Sequence, residues 1–176
     1  NDPDFAKKLS EHGDIYINDA FGTSHRAHAS NNAITHYFKK KSIGFLLKNE
    51  ISYLVNYLKN PQSPLTLIIG GAKIDDKIDL ISNFINRVDF ILIGGAMAFT
   101  FLKAKGFNIG QSLYQEDKID YVKNLLENVK DKNIQIVLPI DTIVAESLDA
   151  KSKVVSISEI QSNERGFDIG PETCKL

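Results

Sequence analysis

At 176 residues the chain has room for one ordinary domain, or for a piece of something larger. Its 43% hydrophobic and 24% charged residues fit a soluble globular protein, and a formal net charge of −1 gives no overall pull toward nucleic acid or anionic membrane. The longest apolar stretch, residues 90–102, is broken by Gly94-Gly95 and too short to span a bilayer, and one cysteine, Cys174, excludes an intrachain disulfide framework and suits a reducing cytoplasm.

Residues 5–11 read as the end of a helix closed near Gly13, and Asp14-Ile15-Tyr16-Ile17-Asn18 alternates like a strand. The loop after it gathers three potential cations in His25-Arg26-Ala27-His28, and Lys39-Lys40-Lys41 is an exposed run. Phe45, Leu46, Tyr53, Leu54, Tyr57 and Leu58 fall at helical spacing before Asn60-Pro61 stops the helix. Such a helix is a crossover within one domain or a connector between two.

Beyond it the pattern predicts a strand at 65–69, helix 72–86, strand 90–93, helix 96–105, helix 116–130, strand 134–138 and a short strand at 154–157. Alternating strands and helices give an α/β fold of parallel sheets, and the short apolar runs read as strands buried on both faces. The chain opens without an initiator Met, and Gly170-Pro171-Glu172-Thr173 announces a helix with three residues left, so the sequence reads as an internal segment.

Two segments repeat one design, an apolar strand followed by Gly-Gly-Ala: Gly70-Gly71-Ala72-Lys73 and Gly94-Gly95-Ala96-Met97. Glycines at a strand's carboxyl end let a ligand approach the backbone, and a helix start beyond them favours an anion. Lys73 and Lys77 are expected one turn apart on one helix face, which points to a phosphate or nucleotide site. The spacing is neither a P-loop nor a GxGxxG. The competing reading is a tight turn whose lysines pair with Asp75, Asp76 and Asp79.

Gly94-Gly95-Ala96 lacks a following charge, so it serves either close helix–strand packing or a ligand's neutral part. Phe99 and Phe101 fit a core better than a stacking platform. Arg26 has the fork geometry for a phosphate or carboxylate. His25 and His28 have no nearby cysteine or carboxylate to complete a metal site. Asp141 and Glu146 are either an acid–base pair or acids of a solvated loop.

Taken together these segments resemble the phosphoglycerate kinase family. The resemblance runs through residues 16–28, Gly44-Phe45-Leu46, Gly70-Gly71-Ala72-Lys73 with Asp76-Lys77-Ile78, and Gly94 to Leu102, and ends with Leu138-Pro139-Ile140-Asp141 and Phe167-Asp168-Ile169-Gly170-Pro171. The chain departs from the family's usual pattern at Ala96 (often glycine), at Phe167 (often leucine) and at Asn163-Glu164-Arg165, which lacks an aromatic residue. A nucleotide- or phosphosugar-binding regulatory domain on the same fold is the alternative.

The resemblance implies a two-lobed α/β enzyme that moves a phosphoryl group between ATP and 3-phosphoglycerate with Mg²⁺ in glycolysis. It implies that residues 1–43 are the tail of the substrate-binding lobe, 44–59 the interdomain helix, and 60–176 the first part of the nucleotide-binding lobe. Arg26, and more weakly His25, would bind the substrate phosphate. Lys73 would meet the phosphoryl group in transit, Lys77 would hold nucleotide phosphates, and Asp76 would lie near the metal. Gly71, Ala72, Gly95, Ala96, Gly166 and Phe167 would line the nucleotide pocket. The parent is expected to be cytoplasmic and monomeric, with small-molecule partners and neither nucleic acid nor membrane. The isolated segment is expected to be inactive and poorly stable.

Overall fold

The computed structural model describes residues 2–176, apart from the side chains of Asn56, Tyr57 and Asp76. The chain divides between Pro61 and Gln62 into two compact units.

In the first unit, helix α1 (Pro3–Ser10) begins where the Asp2 carboxylate accepts the N–H groups of Asp4 at 2.9 Å and Phe5 at 3.3 Å, with proline in the first turn. Its Ala6 packs with Ala29 and Ile34, and Tyr16 and Phe38 close over them. Strand β1 (Tyr16–Asn18) pairs in parallel with β2 (Lys41–Ile43). Helix α2 (Phe45–Ile51) passes into a wider π turn over Ser52–Tyr57, where an unbroken α-helix was expected. Its Phe45, Leu46, Tyr53 and Leu54 are exposed.

The second unit is built on parallel strands β3 (Thr66–Ile69), β4 (Phe90–Ile93) and β5 (Gln135–Val137), in that spatial order. Helices α3 (Ile78–Phe84), α4 (Met97–Ala104) and α5 (Ile119–Lys130) supply Ile81, Met97, Phe101 and Val122 to a core shared with Ile69, Ile91 and Ile93. The sheet is covered on one face, contrary to the expectation of two, since Ile68 stays 75% exposed. Helix α3 starts six residues later than the spacing predicts, after a 3₁₀ turn at Asp75–Lys77. The cause is Ile74, which the periodicity treats as a helical residue but which plugs the core, fully buried.

A second sheet comes after β5, of which only the short strand at 154–157 was expected. Strands β6 (Asp141–Ala145), β7 (Lys153–Ser156) and β8 (Arg165–Ile169) run antiparallel in the order β7-β6-β8 around Phe99, Leu102, Ile109, Val144 and Ile157. The helix announced near Pro171 is a single 3₁₀ turn, Thr173–Lys175.

Asp141 fastens that turn. It is 6% exposed, and its carboxylate accepts the N–H groups of Glu172 at 2.9 Å and Thr173 at 2.7 Å as well as the Thr173 hydroxyl. Gly170 leaves the room it needs, because a Cβ there would lie 2.2 Å from Asp141 Oδ2. Glu146 instead accepts a bond from the Asn163 side chain at 2.7 Å. The two acids thus have separate partners, and Asp141 is taken up in holding the turn rather than paired with Glu146.

The two Gly-Gly-Ala turns lie side by side at the carboxyl ends of β3 and β4. The Met97 N–H donates to the Gly71 carbonyl at 2.9 Å, and the Gly94 N–H to the Ile69 carbonyl at 2.8 Å. Gly95 has φ +64°, and a Cβ on it would sit 2.7 Å from the Gly71 nitrogen.

Gly95→Ala therefore combines a left-handed residue with a backbone clash and should cost about 2–4 kcal/mol in urea unfolding. Burial, the largest single influence on Asp141, raises its pKa, but the Thr173 hydroxyl and the amides of Glu172 and Thr173 together hold it below the ordinary range. A depressed folded value means stability present above the unfolded value of about 4 and lost as pH falls through the folded one. Thermal melts should show the midpoint dropping below about pH 4, and Asp141→Asn should lower it at neutral pH while flattening the acid decline.

Candidate functional site

Around Gly71 the backbone is bare. Its φ is +151°, and the nearest atom to a Cβ there would be Lys77 Cε at 4.0 Å; beside Gly94 there is nothing within 4 Å. Lys73 is exposed and Lys77 half-buried, both flanking this surface from the turn before α3. They do not share a helix face as expected, because the helix has not begun at Lys73.

The expected pairing of these lysines with Asp75 is also not what forms. Lys118 Nζ stands 2.9 Å from Asp75 Oδ1, and Gln115 Nε2 donates to Asp75 Oδ2 at 2.8 Å. The Gln115 side-chain oxygen accepts the Ile74 N–H, and the Gln115 N–H donates to Thr100 Oγ1 at 3.1 Å. Hydrogen bonds from Lys118 and then Gln115 hold the Asp75 carboxyl below the usual range, and Asp75 raises Lys118 in return. Among the described residues no ion pair engages Lys73 or Lys77. Two lysines that no described carboxylate engages in an ion pair, next to a backbone bare at Gly71, leave this corner open to an anion. The Asp76 side chain, expected near a metal, lies outside the described residues.

Beside Gly95 lies a narrow apolar crevice with a cavity volume of ≈ 20 Å³, walled by Phe99, Leu102, Pro139, Phe167 and Ile169. Phe99 and Phe101 are core, as expected, and Phe99 also forms part of this wall. Gly166 has a different role from Phe167. A Cβ there would lie 2.1 Å from Phe99 Cζ, so its bareness lets β8 close on that ring, and its N–H donates to Ser112 Oγ at 2.9 Å. Ala72 is exposed next to Gly71, and Ala96 is half-buried at the start of α4.

In the first unit the loop after β1 is knitted by its own bonds. Asn18 Oδ1 accepts the Ala20 N–H at 3.0 Å, and the Arg26 N–H donates to the Thr23 carbonyl at 3.0 Å. Asn31 accepts the His28 N–H at 3.0 Å and donates to the Thr23 carbonyl at 2.5 Å. The Tyr16 hydroxyl donates to the Ser30 carbonyl at 3.0 Å. With the backbone satisfied, the side chains of His25, Arg26 and His28 are left exposed. Asp19 Oδ1 accepts the Leu47 N–H at 2.9 Å, capping α2 against the same loop. Gly44 makes this possible, since a Cβ there would fall 2.2 Å from Asp19 Cγ.

Among the described residues no three His, Cys, Asp or Glu side chains gather to hold a metal, and no helix is long and apolar enough to cross a membrane. Sequence reasoning missed Gln115, Lys118 and Thr142, whose hydroxyl donates to the Asp168 carbonyl at 2.7 Å under the pocket. Their partners lie 26 to 43 positions away (142 to 168, and 75 to 118), so no local pattern announces them.

Comparison with known proteins agrees with this architecture. The family model described as phosphoglycerate kinase matches residues 1–176. The chain is 49% identical over its whole length to a phosphoglycerate kinase of Finegoldia magna, covering 45% of it, and 52% identical over 98% of its length to that of Prosthecochloris aestuarii, covering 44%. Among solved structures, the phosphoglycerate kinase from Coxiella burnetii aligns with a TM-score of 0.80 at 41% identity, over 99% of this chain and 45% of that one. The enzyme from Pyrococcus horikoshii aligns with a TM-score of 0.77 at 27% identity, over 99% and 46%. The chain thus spans less than half the length of the relatives it matches. Matched by that family model over its whole length and by relatives of about half identity, the chain belongs to the phosphoglycerate kinase family.

Proposed function

We propose that the protein carrying this chain transfers a phosphoryl group reversibly between ATP and the carboxylate of 3-phosphoglycerate, giving ADP and 1,3-bisphosphoglycerate. The observation that carries the reading is Lys73 and Lys77, engaged by no ion pair among the described residues, beside the bare Gly71 backbone in a chain of this family. In this scheme residues 1–43 belong to the substrate lobe, 44–59 to the helix between lobes and 60–176 to the nucleotide lobe. The protein is read as a cytoplasmic monomer with small-molecule partners; a relative 47% identical is named a cytosolic phosphoglycerate kinase in Nicotiana tabacum.

Phosphoryl transfer asks little covalent chemistry of a protein and much positioning and charge neutralisation. As the acceptor carboxylate oxygen bonds to the γ-phosphorus, the bond to the ADP oxygen breaks, and negative charge spreads over the migrating group. Lys73 neutralises that charge and Lys77 holds the nucleotide phosphates. Peptide nitrogens of Gly71, Ala72, Gly95 and Ala96 border the nucleotide, Phe167 receives its base, and Gly166 shapes that wall. Arg26, assisted by His25, grips the phosphate of the acceptor. The described residues offer no metal cage of their own. Asp76 would stand nearest a Mg²⁺ carried on the nucleotide's phosphates, whose charge the ion would offset.

In the full-length protein, Lys73→Ala should lower kcat by about 10²–10³-fold, as loss of one charge-stabilising donor does elsewhere, with an unchanged far-UV CD spectrum. Retained turnover would remove Lys73 from the reaction and favour a binding role for the fold. Arg26→Ala should raise KM for 3-phosphoglycerate by about tenfold or more while leaving KM for ATP alone, as measured in a coupled assay.

A further inference from the structure

The turn before α3 places a carboxylate between the two lysines of the anion site. Asp75 is two positions after Lys73 and two before Lys77. Left to itself, an acid there would pair with a neighbouring ammonium or repel an incoming polyphosphate. Instead both of its oxygens are taken from the side of the α4–α5 connection. Oδ1 meets Lys118 Nζ at 2.9 Å and Oδ2 receives Gln115 Nε2 at 2.8 Å. Gln115 is itself fixed, since its side-chain oxygen takes the Ile74 N–H and its backbone N–H reaches buried Thr100 at 3.1 Å. Lys118 is shared with Asp117 Oδ2 at 3.0 Å.

Resting on the kinase reading, we propose that Lys118 is a positioning residue for nucleotide binding: it is the counter-ion that keeps the Asp75 carboxylate off Lys73 and screens the nucleotide phosphates from it. The pair is too exposed to matter much for folding, as isolated surface ion pairs add little stability. Its consequence is local potential. Without the Lys118 ammonium, an unpaired negative charge stands beside a site built to hold several. Lys73 already feels Asp75, for its charge adds a minor pull to those of Lys118 and Gln115 in lowering the Asp75 carboxyl. Lys118 touches no substrate and acts only through Asp75.

Calorimetric titration of ADP into the full-length protein, in a cycle of K118M, D75N and the double variant, tests this. K118M should weaken ADP binding by about three- to fivefold at low salt, less at high salt, where exposed charges are screened. In the D75N background the same change should have a much smaller effect, because only the outlying Asp117 is then left for Lys118 to answer. An equal loss in both backgrounds would mean that Lys118 contacts the phosphates directly or supports the fold, and would overturn the proposal. Unaltered binding by K118M would overturn it too. If the unsubstituted protein bound no ADP, the kinase reading itself would fall and this inference with it, an outcome distinct from the other two.

Discussion

The second unit depends on one contact, the backbone of Gly95 laid against the backbone of Gly71. The parallel register of β3 and β4 ends both strands level, Ile69 opposite Ile93, so their turns emerge side by side. Only residues without side chains allow them to touch. The Met97 N–H then bonds the Gly71 carbonyl, tying the first turn of α4 to the preceding strand's exit. One geometric demand thus sets the spacing of two helices, exposes peptide nitrogens on the outer surface and opens the pocket by Gly95.

Around that contact, polar side chains are spent on holding loops still. Gln115 and Lys118 hold the lysine turn from outside, Asp141 holds the chain after β8, and Asn31 with Tyr16 holds the basic loop of the first unit. At the lysine turn and the basic loop, acids or backbone groups are satisfied locally, and among the described residues no ion pair engages Lys73, Lys77 or Arg26. Local positive character thus survives in a chain whose overall charge is near zero.

Much of this architecture was legible in the sequence. The apolar runs at β3, β4 and β5 and the stripe of α5 carry their periodicity openly, and a glycine pair after a strand has a direct backbone meaning. The exposed lysines and Arg26 came from the same logic. What stayed hidden required distant partners. Ile74 has the spacing of a helix residue, and only the core it fills reveals that the chain is still turning there. Asp141 as a cap and Asp141 as a proton-transfer acid look alike until Thr173 and Glu172 are seen folded back onto it. Strands β6 and β8 escaped because Asp141 and Thr142 open the one and Gly166 and Asp168 interrupt the other, leaving no apolar run or clean alternation to read.

The cap that Asp19 places on Leu47 mechanically welds the basic loop to the opening turn of α2. Loop and helix start are therefore one hydrogen-bonded piece that carries Arg26, and past Ile51 the backbone leaves this piece in i→i+5 bonding over Ser52–Tyr57.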